Sequence, residues 1–459
     1  MLQRAPRTDG EGGEGPQDRP GAALERQDRG WPPGQSESAA ERGWTVVTMV
    51  RRVVTMVRRV VPVVVLVAAL LCGESGADEP SLRPREVVAL QQTQFGLQLY
   101  SVLAKDDQSS NIFFSPLSIG TALAMVYAGS RGDTSQQMEE VLGFQGRRKT
   151  VLRGHRGLVR WIRRRHNSSD VTVKVTNRVY ASPTLRLRAR FAARMRRLFY
   201  AKLKQLDFSR SEEAAAVVNA NVNEDTAGRI TELVDPGTLD SDTALLLVNA
   251  VYFKGAWLME FDTSLTAEAD FHALSGTRTV QMMKAKKYFP VGYSGSVDAR
   301  VLKLPYKGEA ISMLIVLPNE MDGIHLLDAE IHKANMEDLI WSLDSSEEVE
   351  VQLPRFKMEE KIDLKETLKK MGLTDLFDLN EANLSGISRQ RICVSDVVHK
   401  AAIEVTEEGT TATAATAVGF SFRMLRPKPE PFIVDRPFFF VLRDEKTGAS
   451  LFIGRVMEP

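Results

Sequence analysis

The residues best placed for chemistry lie in one stretch near the C-terminus, Glu407 to Pro427, which reads EEGTTATAATAVGFSFRMLRP. From Thr410 to Ala417 every residue is Thr or Ala, and no charge intervenes between Glu408 and Arg423. Such a run offers little apolar area to bury, so it makes a poor core element. It also lacks the charge, Ser or Pro of a solvated linker. It suits a segment that lives in water and can later enter a sheet. Small side chains then slip between existing strands without overpacking. Gly409, after the acids Glu407 and Glu408, supplies a permissive backbone at the base. Arg423 ends this uncharged run, and its guanidinium suits an acidic pocket on a partner.

The elements that must hold this loop read as one large α+β domain. Phe114-Ser115-Pro116 before an apolar run predicts a helix with Ser115 as N-cap and Pro116 in its first turn. Asp133–Gln137 predicts a second helix opened by a Thr-x-x-Gln capping box. Residues 171–181 and 348–358 alternate as strands do, and 244–253 is a continuous apolar run fit for a strand buried on both faces. Residues 364–373 form an amphipathic helix pattern, and residues 437–444 and 449–456 read as a hairpin around Glu445–Gly448.

Six segments, in order, resemble the serpin family: NIFFSPLSI (111–119), LVNAVYFKGAW (247–257), LPRFKME (353–359), VHKAAIEVTEEGT (398–410), DRPFFFVLRD (435–444) and LFIGRV (451–456). The likeness spans residues 80–459, and its Arg-Met bond is similar to that of secreted, neuroserpin-like inhibitors. The resemblance implies a single large domain with three β-sheets, about nine helices and an exposed reactive-centre loop at about 407–427. It implies a monomeric inhibitor of serine proteases, not an enzyme, working as a suicide substrate. The spacing kept by inhibitory serpins, fourteen residues on from Gly409, gives Arg423–Met424 as the reactive bond. Plasmin-, plasminogen-activator- or kallikrein-like enzymes are the implied targets. The loop hinge comprises Glu407, Glu408, Gly409, Thr410, Ala412 and Ala414. Ser115, Ser118, Asn249 and His399 match a polar cluster under the opening of the main sheet, and Glu407 matches a residue pinning the adjacent strand. Where the family's helix pattern usually has Trp, this chain has Asn221, which puts local packing in doubt. A non-inhibitory carrier or chaperone is the alternative; such relatives tend to break the small-residue hinge, which is intact here.

The formal net charge of +1 hides a segregation. Residues 147–206 hold 19 Lys and Arg against one acid, Asp170, so the remaining 41 bases and 58 acids leave the rest at about −17. Lys149, Arg153, Arg156, Arg160 and Arg163, with Arg164 beside them, recur at helical spacing. Such a row repels itself and invites a polyanion, heparin or another glycosaminoglycan first. Gly154 and Gly157 weaken that helix. Residues 1–48 read as a disordered or misassigned extension, and 49–77 as a signal peptide with cleavage before Asp78. This leads us to expect a secreted, extracellular glycoprotein without a stable membrane anchor. Asn167 and Asn383 are candidate glycosylation sites. No CxxC, HExxH, Walker or Rossmann pattern occurs, so neither metal nor cofactor is expected. No Gly-x-Ser-x-Gly elbow surrounds Ser115 or Ser118, so they and His399 are read as a hydrogen-bonded cluster, not a catalytic pair.

Overall fold

The computed structural model describes residues 82–165, 170–345, 347–410 and 430–459. Residues 80–459 form one compact unit. Among the described residues there are nine α-helices: α1 (Pro84–Asp106), α2 (Pro116–Tyr127), α3 (Gly132–Val141), α4 (Arg148–Arg165), α5 (Ala189–Arg194), α6 (Ser211–Asp225), α7 (Ile324–Glu330), α8 (Met336–Trp341) and α9 (Lys365–Lys370).

Three sheets carry the rest. One has the order β1-β16-β15-β9-β8-β7, from Ile112–Phe114, Ser450–Val456, Phe438–Asp444, Ile311–Pro318, Ala299–Pro305 and Val291–Ser294. A second has the order β14-β10-β6-β5, from Phe432–Ile433, Val349–Pro354, Gly276–Lys287 and Ala267–Ala273. The main sheet has the order β11-β12-β4-β2-β3, from Phe356–Asp363, Asp396–Val405, Leu245–Ala256, Val171–Ala181 and Lys202–Gln205, with a short β13 (Gly409–Thr410) pairing β4 off this path.

β4 is central and buried along almost its whole length, as its apolar sequence, interrupted over 244–253 by Asn249 alone, requires. It pairs antiparallel with β2 and parallel with β12. α2 lies beneath this sheet, and all of its residues are buried. Its start is as expected: the Ser115 side chain accepts from the Ser118 N–H, and Pro116 occupies the first turn, where its missing N–H costs nothing. α3 departs from expectation. It begins at Gly132 with no side-chain cap, because the Thr134 hydroxyl is drawn off to accept from the Asn383 N–H. Residues 348–358 also form two strands rather than one. The chain leaves the second sheet after Pro354 and enters the main sheet at Phe356, with Arg355 at the crossing.

α4 runs its full length despite two glycines, for a tertiary reason. A Cβ at Gly154 would stand 2.4 Å from the Pro84 carbonyl oxygen and 2.5 Å from a Val88 methyl. The missing side chain lets α4 lie against α1, and that burial offsets the roughly 1 kcal/mol propensity cost of the glycine. The Trp-to-Asn departure is likewise absorbed. Arg178 on β2, 5% exposed, donates through Nη1 to Asn221 Oδ1 (2.9 Å) and through Nε to Asp225 Oδ2 (2.7 Å). A polar clamp there ties α6 to the sheet.

Candidate functional site: the seam between β4 and β12

The parallel ladder between β12 and β4 runs from Asp396 opposite Leu246 to Ala402 opposite Tyr252 and stops there. Beyond it, β4 takes a different partner. The chain leaves β12 and turns through Thr406–Gly409, where the N–H of each end residue donates to the carbonyl of the other at 2.9 and 3.0 Å. Gly409 and Thr410 then pair antiparallel with Ala256 and Gly255. The top of the seam is therefore already occupied by the base of the loop, running back toward the gap between the two strands.

Gly409 is required here by both conformation and space. Its φ is +121°, and a Cβ would lie 2.3 Å from the Gly255 carbonyl oxygen. The turn is pinned from several sides. Trp257 Nε1 donates to the Thr406 oxygen, the Trp257 N–H to the Glu408 oxygen, and the Phe261 N–H to the Glu407 oxygen, each at 3.0 Å. The Trp257 ring stacks on Tyr306 with centroids 4.3 Å apart. The Glu407 side chain is buried, and its carboxylate accepts from Arg355 Nε (2.7 Å) and the Thr266 hydroxyl (2.5 Å). Burial pushes its pKa up, but the hydrogen bonds from Arg355 and Thr266 outweigh that and hold it below the ordinary value. Arg355, Thr266 and Trp257 had no role assigned from sequence. The signal for Trp257 is its place in the segment 247–257 and for Arg355 its place in 353–359; Thr266 lies in none of the six segments and leaves no signal.

The middle of the seam is closed by the four residues grouped from sequence. His399 and Asn249 face each other in the ladder, with Nδ1 of the histidine 2.7 Å from Asn249 Oδ1. His399 Nε2 accepts the Ser115 N–H at 3.0 Å. With Nε2 accepting, Nδ1 carries the proton and donates to Asn249. Burial pushes the imidazole pKa down to about 3, so the ring is neutral. Asn249 Nδ2 donates to the Ser118 oxygen (3.1 Å) and to Asn177 Oδ1 (2.7 Å), which adds Asn177 of β2 to the cluster. Ser115 Oγ donates to the Leu451 oxygen at 2.6 Å. With its ring nitrogens engaged by a backbone amide and an amide side chain, and no exposure to solvent, His399 cannot serve as a base for Ser115.

Ala412, Ala414, Arg423 and Met424 lie outside the described residues, as do Asn167 and the segments read as extension and signal peptide. Asn383 is exposed in the turn that receives the Arg131 N–H. Cys393 is half-buried, with its thiol pKa raised by burial. No helix among the described residues is long and apolar enough to cross a membrane.

On α4, Lys149, Arg153, Arg156, Arg160, Arg163 and Arg164 are all exposed, while Val151, Leu152, His155, Leu158, Val159 and Ile162 are buried. The sequence stripe is thus one solvent face. Of the downstream arginines, Arg190 and Arg194 lie on α5 and Arg196 and Arg197 on the π-helical turn Met195–Phe199 that extends it; Arg186 lies before the helix.

Comparison with known proteins matches residues 90–459 to the family model Serpin (serine protease inhibitor). The chain is 39% identical over 384 residues to a leukocyte elastase inhibitor from Bos taurus, covering 82% of this chain and all of that protein. It is 38% identical over 379 residues to Serpin B6 from Macaca fascicularis, with the same coverage. Among solved structures it is similar to uncleaved ovalbumin, with a TM-score of 0.73 and 30% identity over 81% of this chain and 100% of that one. The three-sheet fold expected from the family is thereby shown. These names do not carry the finer likeness to neuroserpin-like inhibitors. The expectation of a secreted, extracellular protein is corrected: leukocyte elastase inhibitor and Serpin B6 are intracellular serpins. The apolar run at 60–72 that suggested secretion lies outside the matched residues, so the address rested on a segment that these relatives do not share. By fold, by the closed polar cluster under β4 and β12, and by descent, the chain belongs to the serpin family of serine protease inhibitors.

Proposed function

We propose that this serpin inhibits a trypsin-like serine protease as a suicide substrate, offering Arg423–Met424 and then inserting the cleaved loop between β4 and β12. The observation that carries the reading is the pairing of Gly409 and Thr410 with β4 beyond the end of the β12 ladder. Because β12 and β4 are parallel, a strand between them can run antiparallel to both, and the turn at Thr406–Gly409 already sets that direction. Continuing the register of β13 down β4 brings residue 420 opposite Leu245, the first residue of that strand. Arg423 then lies beyond its end, about 46 Å from Gly409 at ~3.3 Å per residue. A protease esterified to Arg423 would be carried the length of the sheet. The bond of attack breaks between the Arg423 carbonyl carbon and the Met424 nitrogen, leaving an acyl-enzyme and a free Met424 amine.

The relatives named as elastase inhibitors make elastase the competing target class. Arg423 argues for an acidic specificity pocket instead. Mixing the chain with trypsin, plasmin and elastase and running a denaturing gel separates the two. A complex of summed mass with the first two, lost in Arg423→Ala, supports the reading. A complex with elastase alone, or cleavage after Arg423 with no complex, sinks it.

A second reading rests on α4. Its six exposed cations on one face support binding of an extended polyanion such as a sulfated polysaccharide. Retention on heparin-agarose beyond about 0.3 M salt checks it, since each sulfate contact steepens the salt dependence.

A further inference from the structure

The basic face has a second wall that the α4 stripe alone does not reveal. Between α4 and the end of α5 lies an open groove of about 680 Å³. It is lined by Arg148, Lys149, Arg153 and Arg156 from α4, by Arg194 and Arg197 from the facing segment, and by Leu152 and Leu198. Six cations and two leucines line it, and among the described residues no acid does. Two of the guanidiniums are fixed in place by the end of α2. Arg148 Nη1 donates to the Ser130 oxygen at 2.6 Å and Arg194 Nη1 to the Ala128 oxygen at 2.7 Å. Arg131 donates to the same Ser130 oxygen, also at 2.6 Å. Burial, and then the charges of Arg148, Arg194 and Arg188, pull the Arg131 pKa down, a sign of positive potential that one nearby carboxylate does not cancel. That carboxylate, Glu139, stands 3.8 Å from Arg148.

Arginines gathered this closely repel one another, and a folded chain keeps them together at a cost that a bound anion would remove. The arrangement also distinguishes between anions. A long linear chain is served by the outer stripe, and Arg160, Arg163 and Arg164 of that stripe are not part of the groove lining. The groove instead converges cations from two walls on one concave volume. That geometry suits several charges held close together, and guanidinium forks match phosphate oxygens two at a time.

We propose that this groove binds a compact polyphosphate, several phosphate esters on one small scaffold, held by Arg148, Arg153, Arg156, Arg194 and Arg197. It deepens the polyanion reading of α4 and shares part of that helix, but it depends on the far wall, which that reading does not need. The same chemistry could be offered by a soluble inositol polyphosphate or by a phosphoinositide headgroup.

The test is calorimetric titration of the full chain with inositol hexakisphosphate at about 0.15 M salt. Three proteins are compared: the parent, Arg194→Ala/Arg197→Ala, and Arg160→Ala/Arg164→Ala. The expected result is saturable binding by the parent, a loss of at least about tenfold in affinity in the far-wall variant, and a change within about twofold in the outer-stripe variant. Should the far-wall pair fail to fold, Arg197→Gln, an exposed position, carries the same expectation with a smaller loss. No binding by the parent, or a loss that follows the outer stripe instead, overturns the proposal. Elution from heparin-agarose, run on the same three proteins, tests the α4 reading separately: it should shift with the outer stripe whatever the groove does. Co-sedimentation with vesicles carrying phosphatidylinositol bisphosphate, competed by free hexakisphosphate, would assign the chemistry to a headgroup. Binding of the free polyphosphate alone would assign it to a soluble ligand, and vesicle capture that the free ligand does not compete would overturn the groove as its site.

Discussion

In the middle of the β4–β12 seam, a neutral histidine and an asparagine join the two strands, and each bond in the cluster is between uncharged groups. At the top, the same two strands have parted, a two-residue strand stands beside β4, and a buried carboxylate with an arginine holds the turn. The middle resists separation because parting the strands leaves His399 and Asn249 without partners inside the core. The top is already spread, and its cost is carried by a glycine and an ion pair. On the proposed mechanism, an inserting loop would meet its easiest step first and its barrier further down, at His399 and Asn249. This ordering suits a device that must stay closed until cleavage and then run to completion.

Acid separates the two ends and gives the largest effect. His399 and His155 are both fully buried, with pKa values pushed down to about 3 from an ordinary 6.5. Below about pH 6.5 the unfolded chain takes up protons that the folded chain refuses, so stability falls as pH drops from there toward about 3. The slope is at most about 1.4 kcal/mol per pH unit for each histidine, or about 2 kcal/mol each by pH 5. Glu360 and Asp396, held above their ordinary values by burial, work in the opposite direction and trim it. Glu407, with its pKa lowered, stabilises above its ordinary 4.5 and loses that contribution only as pH falls below it. Denaturant unfolding at about pH 7.5 and about pH 5 should show His399→Gln losing less stability on acidification than the parent, and Glu407→Gln losing as much. Equal losses in all three would remove His399 from the account.

Next in size is Gly409→Val. A β-branched side chain at φ +121°, with its Cβ 2.3 Å from the Gly255 oxygen, must undo the pairing of Gly409–Thr410 with β4. A cost of about 3 kcal/mol is expected, together with loss of any gel-stable protease complex and its replacement by cleaved chain. A variant that folds and still forms the complex would show that the starting pair at the top is dispensable. Asn249→Ala should cost about 2 kcal/mol by leaving the His399 Nδ1–H and Asn177 without their partner. It should also make the inhibitory form decay faster on warming, as measured by residual complex formation. Unchanged decay would place the barrier elsewhere than the middle.

What the sequence could and could not show follows the same division. Ser115, Ser118, Asn249 and His399 are legible as a group only through family resemblance; local patterns place the two serines at one helix start and Asn249 and His399 on two separate strands. β4 and the start of α2 are legible from local rules, since a run apolar but for Asn249 and a Ser-Pro start are decided within a few residues. The start of α3 escapes local capping rules, because Thr134 has a partner 249 residues away and such rules cannot see that competition. Gly154 weakens α4 by propensity alone, yet it is the point of contact with α1. Alternation continues through Arg355 across residues 348–358 and so predicts one strand, although the chain changes sheets there. The basic stripe was legible by spacing, but its facing wall was not, since Arg194 and Arg197 come from a separate helix and a π-turn.

The smallest effect sharpens the top of the seam. Glu407 is buried, yet its partner Arg355 keeps 45% of its side chain exposed, so solvent screens much of the attraction. Glu407→Gln keeps the shape and can still accept from Thr266 and Arg355, which leaves a loss of about 1 kcal/mol. Arg355→Met should cost more than the glutamine variant, because it leaves a buried carboxylate to Thr266 and a backbone N–H, without a cation. Paired unfolding measurements of the two single variants and the double give the coupling directly. If Arg355→Met proves the milder change, the carboxylate is held by Thr266 and the backbone rather than by the ion pair. The turn at the top would then be set by the main-chain bonds of Trp257 and Phe261, a fixture of the strand end that charge does not tune.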